Sequence, residues 1–207
     1  MYKYITIGNQ TWMAENLKFI TLQSKCYENF NSNCEKYGRG YNGLDYFGGS
    51  WQFSSSNPSG IQGICPKGWH IPSTSEWQEF FNYIGFKFQI DLSTKNGAKK
   101  AVEILGNNDW ISVNTSNQIG FNLEPSGFMK YTWDDDKSAV NDAGFSTNYL
   151  PVLTTANNNN LLNSCGLVSI SPNNVSIAES GVCHGTTMPT LSGGKNRIYK
   201  VCRCIKD

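Results

Sequence analysis

The sequence predicts an α+β fold in which a β-hairpin and two helices form a small regular frame and short strands joined by long loops make up the rest. Three observations carry this. The chain opens on β-branched and aromatic residues around a turn, two stretches repeat apolar residues at helical spacing, and beyond Trp110 short apolar pieces alternate with Asn, Gly and Ser clusters. At 207 residues the chain can bury a substantial core, and no Pro/Gly/Ser linker divides it, so residues 1–207 read as one domain.

The hairpin is expected over Tyr2–Ile7 and Thr11–Met13, with Gly8-Asn9-Gln10 as the turn. Tyr37 to Gly63 has no sustained period and reads as an ordered loop held by Tyr41, Tyr46, Phe47, Trp51 and Phe53. The sharpest local signal is Ser73 with Glu76, a capping box in which each side chain can satisfy a free backbone N–H of the first helical turn. A helix follows with Trp77, Phe80, Phe81 and Ile84 on one stripe, and Gly85 stands where it is expected to stop. Ala98, Ala101, Val102 and Leu105 mark a second helix, closed by Gly106-Asn107-Asn108. Strands are expected at Phe121–Leu123, Gly127–Trp133, Gly144–Leu153, Cys165–Ile170 and Ile198–Ile205. Between them Asp134-Asp135-Asp136, Asn157–Asn160 and Ser192–Lys195 lack core-forming side chains and read as exposed loops.

Composition narrows the function. Charged residues are only 16% of the chain, so the surface is built from uncharged polar groups, while 13% aromatic content supplies burial. Lys and Arg (17) nearly balance Asp and Glu (16) with no basic cluster, which leaves no field to attract a nucleic acid. No apolar stretch approaches the roughly 20 residues that cross a bilayer. Seven cysteines are too many for idle cytosolic thiols and lack paired C-x-x-C spacing, which points to a secreted, disulfide-bonded protein. Met1 leads directly into strand-like sequence, so a signal or lipid anchor is expected upstream if at all.

Cys26 and Cys34 bracket a short polar segment that a local bridge would staple. The terminal run from Tyr199 to Ile205 alternates, which in a strand puts Cys202 and Cys204 on one face; either can partner Cys65, and an odd count leaves one thiol over. A zinc site from Cys183, His184, Cys202 and Cys204 has poor spacing, and a disulfide beside a surface His accounts for the same residues. His70, beside Trp69 and the helix cap, fits a packed, hydrogen-bonded role better than that of a catalytic base. Asp134, Asp135 and Asp136 offer oxygen ligands for Ca²⁺, but fit no EF-hand and read more simply as a solvated acidic turn. Trp133 and Tyr149 are suited to stacking on a sugar face or an apolar partner, or equally to a strand core. No cofactor is required.

Four stretches carry a family resemblance: Tyr4–Leu17 (YITIGNQTWMAENL), Cys26 with Cys34–Arg39 (CEKYGR), Cys65–Ser73 (CPKGWHIPS) with Glu76-Trp77, and the closing Cys204–Asp207 (CIKD). In this order they resemble the Fibrobacter succinogenes major paralogous domain over nearly the whole chain. The resemblance implies a fold related to C-type lectins and to the formylglycine-generating enzyme: paired termini, two helices on a small twisted antiparallel sheet, and binding loops in the C-terminal half. It also implies bridges Cys26–Cys34 and Cys65–Cys204 and an extracellular or cell-surface location, often as a lipoprotein. Cys165, Cys183 and Cys202 look like additions to the pattern, and Cys165 and Cys183 are counted with the bridge-forming cysteines. Glu124-Pro125-Ser126 and Trp133-Asp134-Asp135 only approximate calcium-lectin signatures, so sugar binding is not carried over.

The function expected is a non-catalytic binding or adhesion module. Its ligand, a protein or glycan, would meet Tyr131, Trp133, Asp134, Asp135, Asp136, Tyr149, Asn157, Asn158, Asn159 and Asn160. Three alternatives stand beside it. The Asn-rich second half is compatible with a variable protein of a diversity-generating retroelement. Cys202 and Cys204, or Cys183 with either, are the candidates for a copper-binding pair of a formylglycine-generating-like oxidase. The domain is otherwise a structural subunit of a surface or phage assembly.

Overall fold

The computed structural model describes residues 1–46, 60–110, 113–126, 128–133, 139–142, 150–155, 165–180, 188–189 and 195–207; for 43–44, 128–133, 139–142, 150–155, 165–167, 178–180, 188–189 and 195–198 the description is of backbone only. It is an α+β architecture with antiparallel sheets and two disulfides. The expected hairpin forms, from β1 (Tyr4–Ile7) and β2 (Gln10–Met13), but its first strand starts at Tyr4 and not Tyr2. Gln10 belongs to β2 and pairs with Ile7, which leaves Gly8-Asn9 alone as the turn. The two-residue turn needs positive φ at its first position, and Gly8 supplies it at 61°.

Between the hairpin and the first long helix the structure departs from the expected loops. A 3₁₀ turn (Tyr27–Asn29) and α1 (Asn31–Tyr37) fill the span closed by Cys26–Cys34, and α2 (Gly43–Tyr46) follows. Two helices were too few because these short ones carry no long apolar period; they are held by the bridge and by tertiary packing. Tyr41 and Tyr46 are fully buried, as expected, whereas Phe47, Trp51 and Phe53 lie outside the described residues.

β3 (Trp69–His70) leads into α3 (Thr74–Phe88), which starts at the expected capping box: Ser73 Oγ accepts from the Glu76 N–H, and the Glu76 carboxylate accepts from the Ser73 N–H. The helix does not stop at Gly85. It runs to Phe88 and ends at Gln89 in the left-handed conformation. Gly85 serves the chain's return instead: Ile90 N–H donates to its carbonyl, and a Cβ there would sit 3.2 Å from the Ile90 carbonyl oxygen. α4 (Lys95–Leu105) matches expectation and is capped by Thr94, whose Oγ1 accepts from Gly97 N–H at 3.0 Å.

Among the described residues eight later strands follow: β4 (Phe128–Trp133), β5 (Ala139–Asp142), β6 (Leu150–Thr155), β7 (Cys165–Ser171), β8 (Asn174–Ser180), β9 (Met188–Pro189), β10 (Lys195–Lys200) and β11 (Ile205–Lys206). Phe121–Leu123 is not a strand; Leu123 makes one parallel bridge to Gly106, and its carbonyl accepts from Trp110 Nε1. The expected Ile198–Ile205 strand is also divided, because its two ends serve different sheets. β10 pairs with β4 and β9, while β11 lies between β2 and β3, with Ile205 opposite both Trp12 and His70. Thus the two termini share one sheet, β1-β2-β11-β3.

The core lies where this sheet meets α3, α4 and the β6-β7-β8 sheet. Trp12, Trp77, Phe80 and Phe121 are fully buried, with ring centroids 4.5 Å apart for Trp12–Trp77 and 4.8 Å for Phe80–Phe121. Val168 and Ile170 of β7 join the same cluster. A second cluster gathers Met13, Leu17, Tyr41, Tyr46, Ile71 and three cysteines, Cys65, Cys202 and Cys204.

Candidate functional site

Three buried polar or sulfur constellations surround the carboxy-terminal segment. The first is the sulfur cluster. Cys65 is bonded to Cys204, closing a span of 139 residues, and Cys202 is a buried free thiol whose Sγ lies 3.9 Å from that of Cys204. The three sulfurs fall within 4.8 Å of one another. Their backbone is fixed: Met13 N–H donates to the Cys204 carbonyl at 3.0 Å and Leu17 N–H to that of Cys202 at 2.8 Å. Burial pushes the Cys202 thiol up to about 12, so at neutral pH it is protonated and a poor nucleophile. A copper-binding pair needs two thiolates; with Cys204 in a disulfide, Cys202 and Cys204 are not one. Cys183 and His184, the other members of the zinc alternative, lie outside the described residues.

The second constellation is His70 with two carboxylates. Nδ1 is 2.7 Å from Asp207 Oδ1 and Nε2 is 2.9 Å from Glu76 Oε1, while Ser73 N–H and Oγ–H donate to Glu76 Oε2. Burial disfavours the charged ring, but the hydrogen bonds to Glu76 and Asp207 outweigh it and hold the His70 pKa above its ordinary 6.5. Burial likewise works against the Glu76 charge, and hydrogen bonds from His70 and Ser73 bring its carboxyl down to about 2. The packed, hydrogen-bonded role expected of His70 is what the geometry provides: it ties the chain's end to the start of α3.

The third constellation was not anticipated. Arg203 is fully buried; Nε donates to Asn16 Oδ1 at 3.0 Å, its two terminal nitrogens donate to the Phe121 and Asn122 carbonyls at 2.6 and 3.2 Å, and the guanidinium lies over the Phe121 ring. Glu124 is buried beside it with Oε2 at 3.8 Å, and neither that atom nor Ser126 Oγ has a hydrogen-bond partner among the described residues. Burial pushes the Glu124 carboxyl up to about 7 against the pull of Arg203. The signal lay in the terminal alternation: if Cys202 and Cys204 share a face, Arg203 points the other way, and a segment buried on both faces buries its charge.

Of the residues expected to bind a ligand, Tyr131 and Trp133 lie in β4, two positions apart and so on one face of the sheet, opposite Arg197 and Lys195 in the β10 register. Asp134, Asp135, Asp136, Tyr149 and Asn157–Asn160 lie outside the described residues. Cys165 begins β7, between Thr155 and Ser180, and its expected partner Cys183 is likewise outside. Elsewhere on the frame an open apolar cavity of about 620 Å³ is lined by Tyr2, Leu17, Phe19, Ile64 and Pro66. Among the described residues no helix is long and apolar enough to cross a membrane.

Comparison with known proteins supplies a family. The sequence model of the Fibrobacter succinogenes major domain matches residues 5–206, which takes in the hairpin, both disulfide-bonded cysteine pairs and the terminal strand. No curated protein and no solved structure matches the chain. The match over residues 5–206 places this chain in the Fibrobacter succinogenes major domain family.

Proposed function

We propose that the protein is a non-catalytic binding or adhesion module of C-type-lectin-like fold, acting outside the cell on a protein or glycan. The observation that supports it most is the path of β10. Its end at Lys200 is tied to the frame by reciprocal hydrogen bonds with Tyr41, and Tyr199 is buried; from there six residues pair with β4, ending where Lys195 faces Trp133. Paired strands of this kind carry the segments on which binding residues are commonly placed, with the frame supplying stability and the connections supplying contacts. The disulfides and the paired termini fit the extracellular setting and the lectin-like topology.

The test is a glycan array and intact bacterial and host cells, probed with the folded chain with and without Ca²⁺. Saturable binding that falls at least tenfold in an alanine variant of Trp133, Tyr149 and Asn157–Asn160, at unchanged circular dichroism, is the expected result. Binding that is unaltered by those replacements overturns the reading. A loss on chelation shows that Ca²⁺ is needed, and only its reproduction by Asp135→Asn assigns the ion to the Asp134–Asp136 segment.

A further inference from the structure

The frame holds one sulfur more than its long-range bridge needs, and in the same buried cluster. Cys65 lies within 4.8 Å of both Cys202 and Cys204, the latter two share one side of the terminal segment, and both of their carbonyls accept from the stretch Met13–Leu17. Moving the bridge between them therefore calls for side-chain rotation more than for a new backbone path. Loop closure hardly distinguishes them either. Cys65–Cys204 spans 139 residues and Cys65–Cys202 spans two fewer, so the closure probabilities differ by only about 2%. We propose that Cys202 and Cys204 are alternative partners of Cys65, forming an internal thiol–disulfide exchange triad through which the chain corrects its own long-range bridge as it folds.

The step is redox-neutral. The Cys202 thiolate attacks Cys65 Sγ, a Cys65–Cys202 bond forms as the Cys65–Cys204 bond breaks, and the electron pair leaves on Cys204, which takes up the proton that Cys202 lost. The reverse step restores the native bridge. Neither runs in the closed core. The three sulfurs form a triangle and not the line that in-line displacement needs, and Cys202 is buried and protonated. Exchange belongs to chains whose terminal segment has reached Met13–Leu17 while the core around it is still open, and packing of Met13, Tyr46 and Ile71 around the sulfurs then locks the Cys65–Cys204 isomer. What chooses Cys204 is the folded state, since chain statistics do not.

The experiment is oxidative refolding of the reduced full-length chain, with samples quenched by acid and alkylated over time. Trypsin cuts after Arg39, Lys67, Lys200, Arg203 and Lys206, so the two candidate partners leave on separate peptides, Val201–Arg203 and Cys204–Lys206. Early samples should show both joined to the Cys65 peptide in amounts within about twofold of each other, converging on Cys204 alone. In Cys204→Ser the Cys65–Cys202 linkage should be the end product. If Val201–Arg203 is never found joined to the Cys65 peptide in wild type, or if Cys65 and Cys202 both remain alkylated thiols in Cys204→Ser, the proposal is overturned. The wild-type time course decides even where the variant does not fold.

Discussion

At the scale of the residue, two buried ionisable groups pull stability in calculable directions. His70 has a raised pKa, so its contribution is present below about 6.5 and is lost as pH rises through the higher folded value; Glu76 has a lowered one, so its contribution is present above about 4.5 and is lost as pH falls toward 2. Together they give a plateau between those limits. His70→Ala should remove the alkaline decline and lower Tm near pH 5.5 by several degrees, at about 1–3 kcal/mol for orphaned partners and about 2–4 °C per kcal/mol for a chain of this size; thermal melts from pH 3 to 9 check this. Glu124 behaves oppositely to an ordinary ion-pair carboxylate. Its pKa is raised to about 7, so its neutral form stabilises and that contribution fades as pH rises through 7. Glu124→Gln should therefore raise Tm at pH 8.5 and leave it nearly unchanged at pH 5. A fall at pH 8.5 would mean that attraction to Arg203 outweighs the cost of burying the charge.

At the scale of the element, the features legible in the sequence are those with local causes. Ser73 and Glu76 announce the start of α3 because both partners of the cap lie within one turn, and Trp77, Phe80, Phe81 and Ile84 announce its buried face for the same reason. Gly85 misled because its role is set by the returning Ile90, which no local pattern contains. β5 and β8 were not read: Ala139–Asp142 and Asn174–Ser180 hold only two or three apolar residues each, too short a pattern to stand without their pairing to β4 and β7. The candidate site divides the same way. The short Cys26–Cys34 bridge could be read from spacing, whereas Cys65–Cys204 rested on family resemblance, because nothing local says which of two neighbouring cysteines meets a third far along the chain. Phe80→Ala, which empties the space beside Trp12 and Phe121, should cost about 3–5 kcal/mol in chemical denaturation. Tyr131→Ala and Trp133→Ala should each cost less than about 1 kcal/mol if these residues are displayed and not packed.

At the scale of the molecule, the frame is closed by its last residues. β11 completes the sheet that β1 and β2 begin, Asp207 holds His70, and Cys204 holds Cys65. The long bridge is worth about 4–5 kcal/mol in the chain-entropy account and the short Cys26–Cys34 bridge about 2–3, so Cys65→Ser should destabilise markedly more than Cys26→Ser. The claim underneath is a division of labour. We propose that stability rests on the described residues of 4–46, 60–110, 113–126 and 199–206 with the β7 core residues Val168 and Ile170, and recognition on the connections between Tyr131 and Lys195. Saturation mutagenesis of the displayed chain, scored for both folded yield and binding to a ligand found on the arrays, measures that division directly. It should place substitutions that abolish folding at Trp12, Trp77, Phe80, Cys65, Val168, Ile170 and Arg203, and substitutions that abolish binding alone in the connections between Tyr131 and Lys195. Binding losses centred instead on Tyr2, Phe19 and Ile64, around the apolar cavity of the frame, would contradict it.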